Sequence, residues 1–180
     1  AATARAAKAG VDVAFHVANA EELPFASESL DGYRAERLYQ HLAEPTKALA
    51  EARRVLAPGG RILLVDQDWD ATLIDSDDKA TTRAILRAFA DGIANSAVGR
   101  QYHRRLGDAG FADVVILAEA SISTDWDDYG FLVEMMARGC ELRGEVNSAL
   151  VQAWLEEQRE RGRRGRFFMI MTHILATARR

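Results

Sequence analysis

Cysteine occurs once, at Cys140, which excludes an intrachain disulfide framework and a zinc site built on several thiolates. Proline occurs three times and no Ser/Gly-rich stretch interrupts the chain, so nothing divides its 180 residues into two domains. Long apolar runs are missing too. Even the most hydrophobic stretch, Arg61-Ile62-Leu63-Leu64-Val65-Asp66, carries a charge at each end and falls far short of the ~18 residues a membrane span needs. No charged-then-apolar leader opens the chain, and the expectation is a cytoplasmic protein. The net charge of −4 excludes a generic nucleic-acid binder. Charge is unevenly spread: residues 151–180 carry seven Arg against three Glu, while the first 150 residues are net acidic. The Arg159–Arg166 cluster is broken by Gly162 and Gly165 and has no interleaved aromatics, so it reads as a solvated helix end. An initial Met is also absent: Ala1-Ala2-Thr3-Ala4-Arg5 reads as the middle of a helix.

What is present alternates in period along the chain, the mark of an α/β protein. Hydrophobic residues make up 48% and charged residues 28%, enough to build one core. Ala1–Ala9 is helical and stops at Gly10, a helix-ending position. Val11–Val17 alternates apolar and polar side chains and reads as a strand, and Ser29–Ala35 as a second, shorter one. Pro45 suits a first helical position, ahead of Ala48, Leu49, Ala52, Val55 and Leu56 at helical spacing. Pro58-Gly59-Gly60 turns the chain into Arg61–Asp66, which reads as a strand covered on both faces. Ile85, Leu86, Phe89 and Ile93 mark a helix capped by Ser76 or Asp77, and another runs from about Gly99 to Ala109. Then come a strand over Ala112–Glu119, helices over Asp125–Leu142 and Val146–Arg161, and a final strand over Arg166–Ala178. Ligands in such open sheets sit at the carboxyl ends of the strands.

Three segments carry the chemistry. Asn19-Ala20-Glu21-Glu22-Leu23-Pro24-Phe25 follows the end of the first expected strand. A short polar side chain there can accept from an exocyclic amine while the next backbone N–H donates to a ring nitrogen, which together read the edge of an adenine. Ser29–Leu42 and Arg54-Val55-Leu56-Ala57-Pro58-Gly59-Gly60 follow in order. In sequence and spacing these three segments resemble the class I S-adenosylmethionine-dependent methyltransferases. The resemblance is to the branch that contains the ubiquinone/menaquinone C-methyltransferases and many natural-product methyltransferases. That branch shows D-A-E-x-L-P-F, then S-F-D-x-V…L-x-H-L, then R-V-L-x-P-G-G before a strand. The close match covers residues 11–70.

The resemblance implies a Rossmann-like sheet of strand order 3-2-1-4-5-7-6, of which this chain would supply strands 3, 4, 5, 6 and 7. It implies S-adenosylmethionine as cofactor, with Asn19, Ala20 and Glu21 at the adenine and Ala35, Glu36 and Gln40 around the methionine end. Asn19 stands where the branch has Asp, and still offers an acceptor oxygen. The family's glycine-rich loop and its acidic ribose-binding residue have no counterpart in the chain. The expectation is therefore that residues 1–180 are the C-terminal part of a single methyltransferase domain, with strands 1 and 2 upstream of Ala1. Helices around 77–110 and 125–163 would then form lid elements over the acceptor. In resembling sugar O-methyltransferases a His before the helix and an Asp closing strand 5 serve the acceptor; here these are His41 and Asp66, with Asp68 in reserve. The alternative is that His41 caps a helix and Asp66 bonds nearby backbone.

The implied reaction is methyl transfer to a small-molecule acceptor. Neither nucleic acid nor membrane is an expected partner, and a homodimer is compatible with the sequence. A non-catalytic ligand-binding or accessory domain that kept the fold is the competing reading, whereas a nicotinamide-dependent enzyme lacks its G-x-G-x-x-G fingerprint. A metal is not expected. The run Asp66-Gln67-Asp68-Trp69-Asp70 imitates the start of a calcium loop, but Ala71 occupies the place of the required Gly. His16, His41, His103 and His173 show no ligand spacing, and Cys140 has no neighbouring base. Trp69, Trp126, Tyr129, Phe131, Met135, Met136 and Trp154 read as core, with some free to line an apolar acceptor pocket.

Overall fold

The strand pattern around Arg61–Asp66 becomes the centre of the molecule in a computed structural model that describes residues 2–180. Ala1, which the sequence places in the first helix, lies outside the described residues. In chain order the elements are α1 (Ala2–Lys8), β1 (Leu30–Glu36), a 3-10 turn (Tyr39–His41), α2 (Pro45–Val55), β2 (Leu56–Ile74) and α3 (Lys79–Asp91). A second 3-10 turn (Val98–Gln101), α4 (Tyr102–Asp108), β3 (Ala112–Ser123), α5 (Trp126–Leu142), α6 (Ser148–Arg163) and β4 (Met169–Arg179) complete it. The sheet order is β1-β2-β4-β3, with β1 parallel to β2 and β4 antiparallel to both its neighbours. In the family numbering this is 4-5-7-6, as the resemblance implies.

Side chains alternate across the pleat, and the two faces are covered unequally. Ile62, Leu64, Ala176 and Ala178 meet Ala48, Leu49 and Ala52 of α2 and Tyr102 and Leu106 of α4 in a first core. Pro45 opens α2 as expected, and Ala48, Leu49, Ala52 and Val55 form its buried stripe, while Leu56, expected to continue that stripe, is already the first residue of β2. A second core joins Trp69, Met169 and Met171 to α3, α5 and α6 through Ile85, Met136, Cys140 and Trp154. On the face opposite the first core, Leu63 and Val65 are only half-buried, and Val115 and Leu117 are exposed. The expectation that Arg61–Asp66 is covered on both faces is thus corrected: α2 and α4 lie on one side, and among the described residues nothing covers Leu63 and Val65 on the other.

The larger correction is at Val11–Val17. This segment forms no strand, and Val11, Val13, Phe15 and Val17 are all exposed. A strand is stable only when its backbone N–H and C=O groups pair with a neighbour, and among the described residues none is placed beside it. The structure therefore contains four of the five expected strands. Smaller shifts occur at helix starts. Asp78, not Ser76 or Asp77, caps α3 by accepting from the Thr81 N–H at 3.0 Å. Among the described residues no helix is long and apolar enough to cross a membrane.

Candidate functional site

β1 and β2 run parallel, so their carboxyl ends open side by side, with Ala35 opposite Leu64 and Glu36 opposite Val65. Asp66 is the next residue of β2, and the chain leaving β1 folds over it as the Tyr39–His41 turn. The Gln40 backbone N–H donates to Asp66 Oδ1 at 3.2 Å, and the Tyr102 hydroxyl donates to Oδ2. Asp66 is fully buried, and burial pushes its carboxyl above the ordinary carboxylate value, against the opposing pull of these two donors and of His41. Tyr39 and Tyr102 cross edge to face at 6.1 Å. Burial raises both phenols, so each stays protonated and the Tyr102 hydroxyl remains a donor.

Gln40 has almost no solvent contact, at 2% exposure. The Trp69 Nε1–H donates to its Oε1 at 2.9 Å, and its Nε2 lies 3.0 Å from His41 Nε2. Indole N–H is a donor only, which fixes the amide with its oxygen toward Trp69 and its NH2 toward His41. His41 Nε2 must then accept, which assigns the proton of a neutral imidazole to Nδ1. The ring itself is exposed. Trp69–Gln40–His41 is thus one polar relay, seated on Asp66 through the Gln40 backbone.

A second strap holds this turn from outside. Asn95 N–H donates to the Gln40 carbonyl at 2.9 Å and Asn95 Nδ2 donates to the Leu42 carbonyl at 2.5 Å. Arg100 grips the Asp68 carboxylate through Nε at 2.5 Å and Nη2 at 2.6 Å, and reaches Asp70 at 3.2 Å. Asp68, the reserve base, is therefore committed to an ion pair. Gly99 lets the Val98–Gln101 turn lie against β4, since a Cβ there would come within 2.6 Å of the Ile174 Cβ.

The structure brings Gln40, His41 and Asp66 together and sets Ala35 and Glu36 at the end of the adjoining strand. Asn19, Ala20 and Glu21 form a separate turn. Asn19 Oδ1 accepts from the Glu21 N–H at 3.0 Å, and Ala20 packs on the first core. Glu51 and Arg54 of α2 tie the following residues: the Leu23 N–H donates to Glu51 at 2.7 Å, and Arg54 donates to the carbonyls of Leu23 and Phe25. Among the described residues no hydrogen bond joins this turn to Asp66 or His41. The residues fit S-adenosylmethionine unevenly. Asn19 is exposed and its oxygen keeps a second lone pair; Ala35 carries no more than a methyl group; Glu36 is exposed, though its carboxylate meets Arg34 at 2.6 Å. Gln40 Oε1 already holds Trp69 and its Nε2 already meets His41, and the side chain is buried. Tyr102, Asn95 and Arg100 were not legible as site residues, and only the buried charge of Asp66 signals that some donor must come to it.

Residues 1–64 match the family described as Methyltransferase domain. The structure superposes on the YcgJ protein of Bacillus subtilis with a TM-score of 0.62 at 18% identity, covering 99% of this chain and 76% of that one. It also superposes on a geranyl diphosphate C-methyltransferase from Streptomyces coelicolor, solved with Mg2+, geranyl diphosphate and S-adenosylhomocysteine, with a TM-score of 0.52 at 18% identity. That overlap covers 98% of this chain and 57% of the other. The likeness to these two structures is one of fold, a sheet of order β1-β2-β4-β3 flanked by helices. Among curated sequences, a 37.1 kDa protein of transposon TN4556 from Streptomyces fradiae is 44% identical over 104 residues, which is 57% of this chain and 30% of that protein. The ubiquinone/menaquinone biosynthesis C-methyltransferase of Rhizobium etli is 36% identical over 92 residues, 51% of this chain and 36% of that enzyme. The chain therefore spans about a third of the length of these relatives.

Proposed function

We propose that this protein takes part in methyl transfer from S-adenosylmethionine to a small organic acceptor at the carboxyl ends of β1 and β2. One observation supports this most: the methyltransferase-domain match runs to Leu64, and two residues later Asp66 anchors the turn that presents Gln40 and His41. When bound, S-adenosylmethionine supplies an electrophilic sulfonium methyl for in-line displacement, so the protein's work is positioning and exclusion of water. In this reading Asn19 and the Ala20 N–H meet the adenine edge, with Glu21 beside them. Ala35 and Glu36 meet the methionine end, and Gln40 acts there as a positioning residue through its amide contact with His41. His41 takes the acceptor's proton through the Nε2 lone pair that Gln40 otherwise occupies. Asp66 is the positioning residue beneath it: buried, it holds the Gln40 N–H and so the place of the imidazole. The helices within 77–110 and 125–163 serve as lid elements over the acceptor.

Calorimetric titration of S-adenosylhomocysteine into the full-length gene product tests the cofactor half of this reading. The Asn19→Leu, Ala20→Pro double variant is expected to lose at least tenfold in affinity. Equal affinity in the two proteins would remove the assignment.

A further inference from the structure

Trp69 joins the second core to the turn that carries His41. Its ring is 7% exposed and packs in that core, with Phe89 of α3 edge-on at 5.0 Å, and its backbone N–H donates to the Ser96 carbonyl at 3.1 Å. Ring and main chain are both held, so packing sets the direction of the indole N–H. That N–H reaches Gln40 Oε1 at 2.9 Å, 29 positions away in sequence. Gln40 is held as firmly: its backbone N–H donates to Asp66 at 3.2 Å, and its carbonyl accepts from the Asn95 N–H at 2.9 Å. Among the described residues its side chain makes one further hydrogen bond, from Nε2 to His41 Nε2 at 3.0 Å. A flipped amide would set its NH2 against the indole N–H, donor against donor, in a buried place where an unpaired donor is costly.

We propose that Trp69 is a positioning residue for His41: through the Gln40 amide it decides which imidazole nitrogen carries the proton. With Oε1 taken by the indole, the amide can only donate toward His41, and Nε2 must be the bare nitrogen. An unconstrained imidazole holds its proton mainly on Nε2, and the His41 ring is exposed, so the relay works against the ring's own preference. Any acceptor that takes the amide's place at Nε2 must bring a hydrogen of its own, as a hydroxyl or an amine does. The use of that lone pair on an acceptor rests on the methyl-transfer reading; the tautomer itself stands on the hydrogen bonds alone.

The test is long-range proton–nitrogen NMR of ring-labelled histidine in the full-length gene product, without cofactor, with the His41 signals assigned by their loss in His41→Asn. The pH is raised until the His41 ring signals no longer move. In the wild type the form protonated on Nδ1 is expected to exceed the other tautomer by about tenfold or more, because the flipped amide leaves a buried donor unpaired. Trp69→Phe keeps a ring against Phe89 but lacks the N–H, and is expected to reverse the ratio in favour of Nε2–H. Gln40→Leu is expected to do the same, and adding Trp69→Phe to it should change nothing further, because Trp69 acts through the amide. A Trp69 that only fills the core would leave the tautomer unmoved. Gln40→Glu serves if Trp69→Phe does not fold: with Trp69 in place, its carboxylate can only accept, and the proton is expected on Nε2. Nε2–H in the wild type, Nδ1–H retained in Trp69→Phe or Gln40→Glu, or a further shift in the double variant would overturn the proposal. A wrong tautomer with intact S-adenosylhomocysteine binding removes this assignment alone. The expected tautomers without S-adenosylhomocysteine binding remove the methyl-transfer reading and keep the role of Trp69.

Discussion

Val11–Val17 and Arg61–Asp66 carry much the same local message, and the molecule treats them in opposite ways. Each is a short β-branched and apolar stretch next to a glycine turn. Arg61–Asp66 lies within β2, with β1 on one side and β4 on the other, and Leu64 has no solvent exposure. Val11–Val17 has no partner on either side among the described residues, and Val13 remains 48% exposed. Local propensity states what a segment can become; hydrogen-bonded neighbours decide whether it does.

The comparison breaks most visibly under truncation of the core. Leu64→Ala is expected to cost about 2–5 kcal/mol in urea unfolding, because Leu64 fills the space between α2, α4 and β4. Leu63→Ala, on the open face one residue away, is expected to cost less than half as much. Equal costs would mean that the open face is covered in solution.

The charge that closes the strand gives the next effect. Burial raises the Asp66 carboxyl in the folded protein, so the folded state holds that proton to higher pH than the unfolded chain does. Its contribution to stability is complete below the ordinary carboxylate pKa of ~3.9 and is lost as pH rises through the raised value. Asp66→Asn has no proton to lose. The urea midpoint of the wild type, measured against that of Asp66→Asn, is expected to fall between pH 4 and pH 8. A constant difference across that range would show that burial leaves the carboxyl unshifted.

The smallest effect belongs to the unpaired segment. Phe15→Ser is expected to change stability by no more than about 0.5 kcal/mol. Amide exchange sharpens the same contrast, with Val13 and Phe15 exchanging at nearly unprotected rates and Ile62 and Leu64 exchanging only on global opening.

These two segments also mark how far the sequence could be read. Periodicity located β1, β3, β4 and most helices to within a few residues, because each keeps its apolar stripe against a core that lies within the chain, whereas the expected Gly99–Ala109 helix starts as the Val98–Gln101 3-10 turn. It failed at Val11–Val17 because period two records side chains, not the presence of a neighbouring backbone. It extended Arg61–Asp66 only to Asp66, whereas β2 runs on to Ile74 as its distal half enters the second core. At the site, motif order brought out Gln40, His41 and Asp66, which lie inside or just beyond the three segments that carry the resemblance. The partners that give those residues their states were not legible. Tyr102 reaches Asp66 from 36 positions away, and Trp69 reaches Gln40 from 29. No local spacing encodes such contacts; they arise only once α4 and β2 are packed against the turn.

The claim that cofactor and turn meet at the ends of β1 and β2 is tested most directly by hydrogen exchange of the full-length gene product with and without S-adenosylhomocysteine. The expected result is slowed exchange confined, within this chain, to residues 18–23 and 35–42. Slowing that falls on α5 and α6 while those two segments stay unchanged would contradict it.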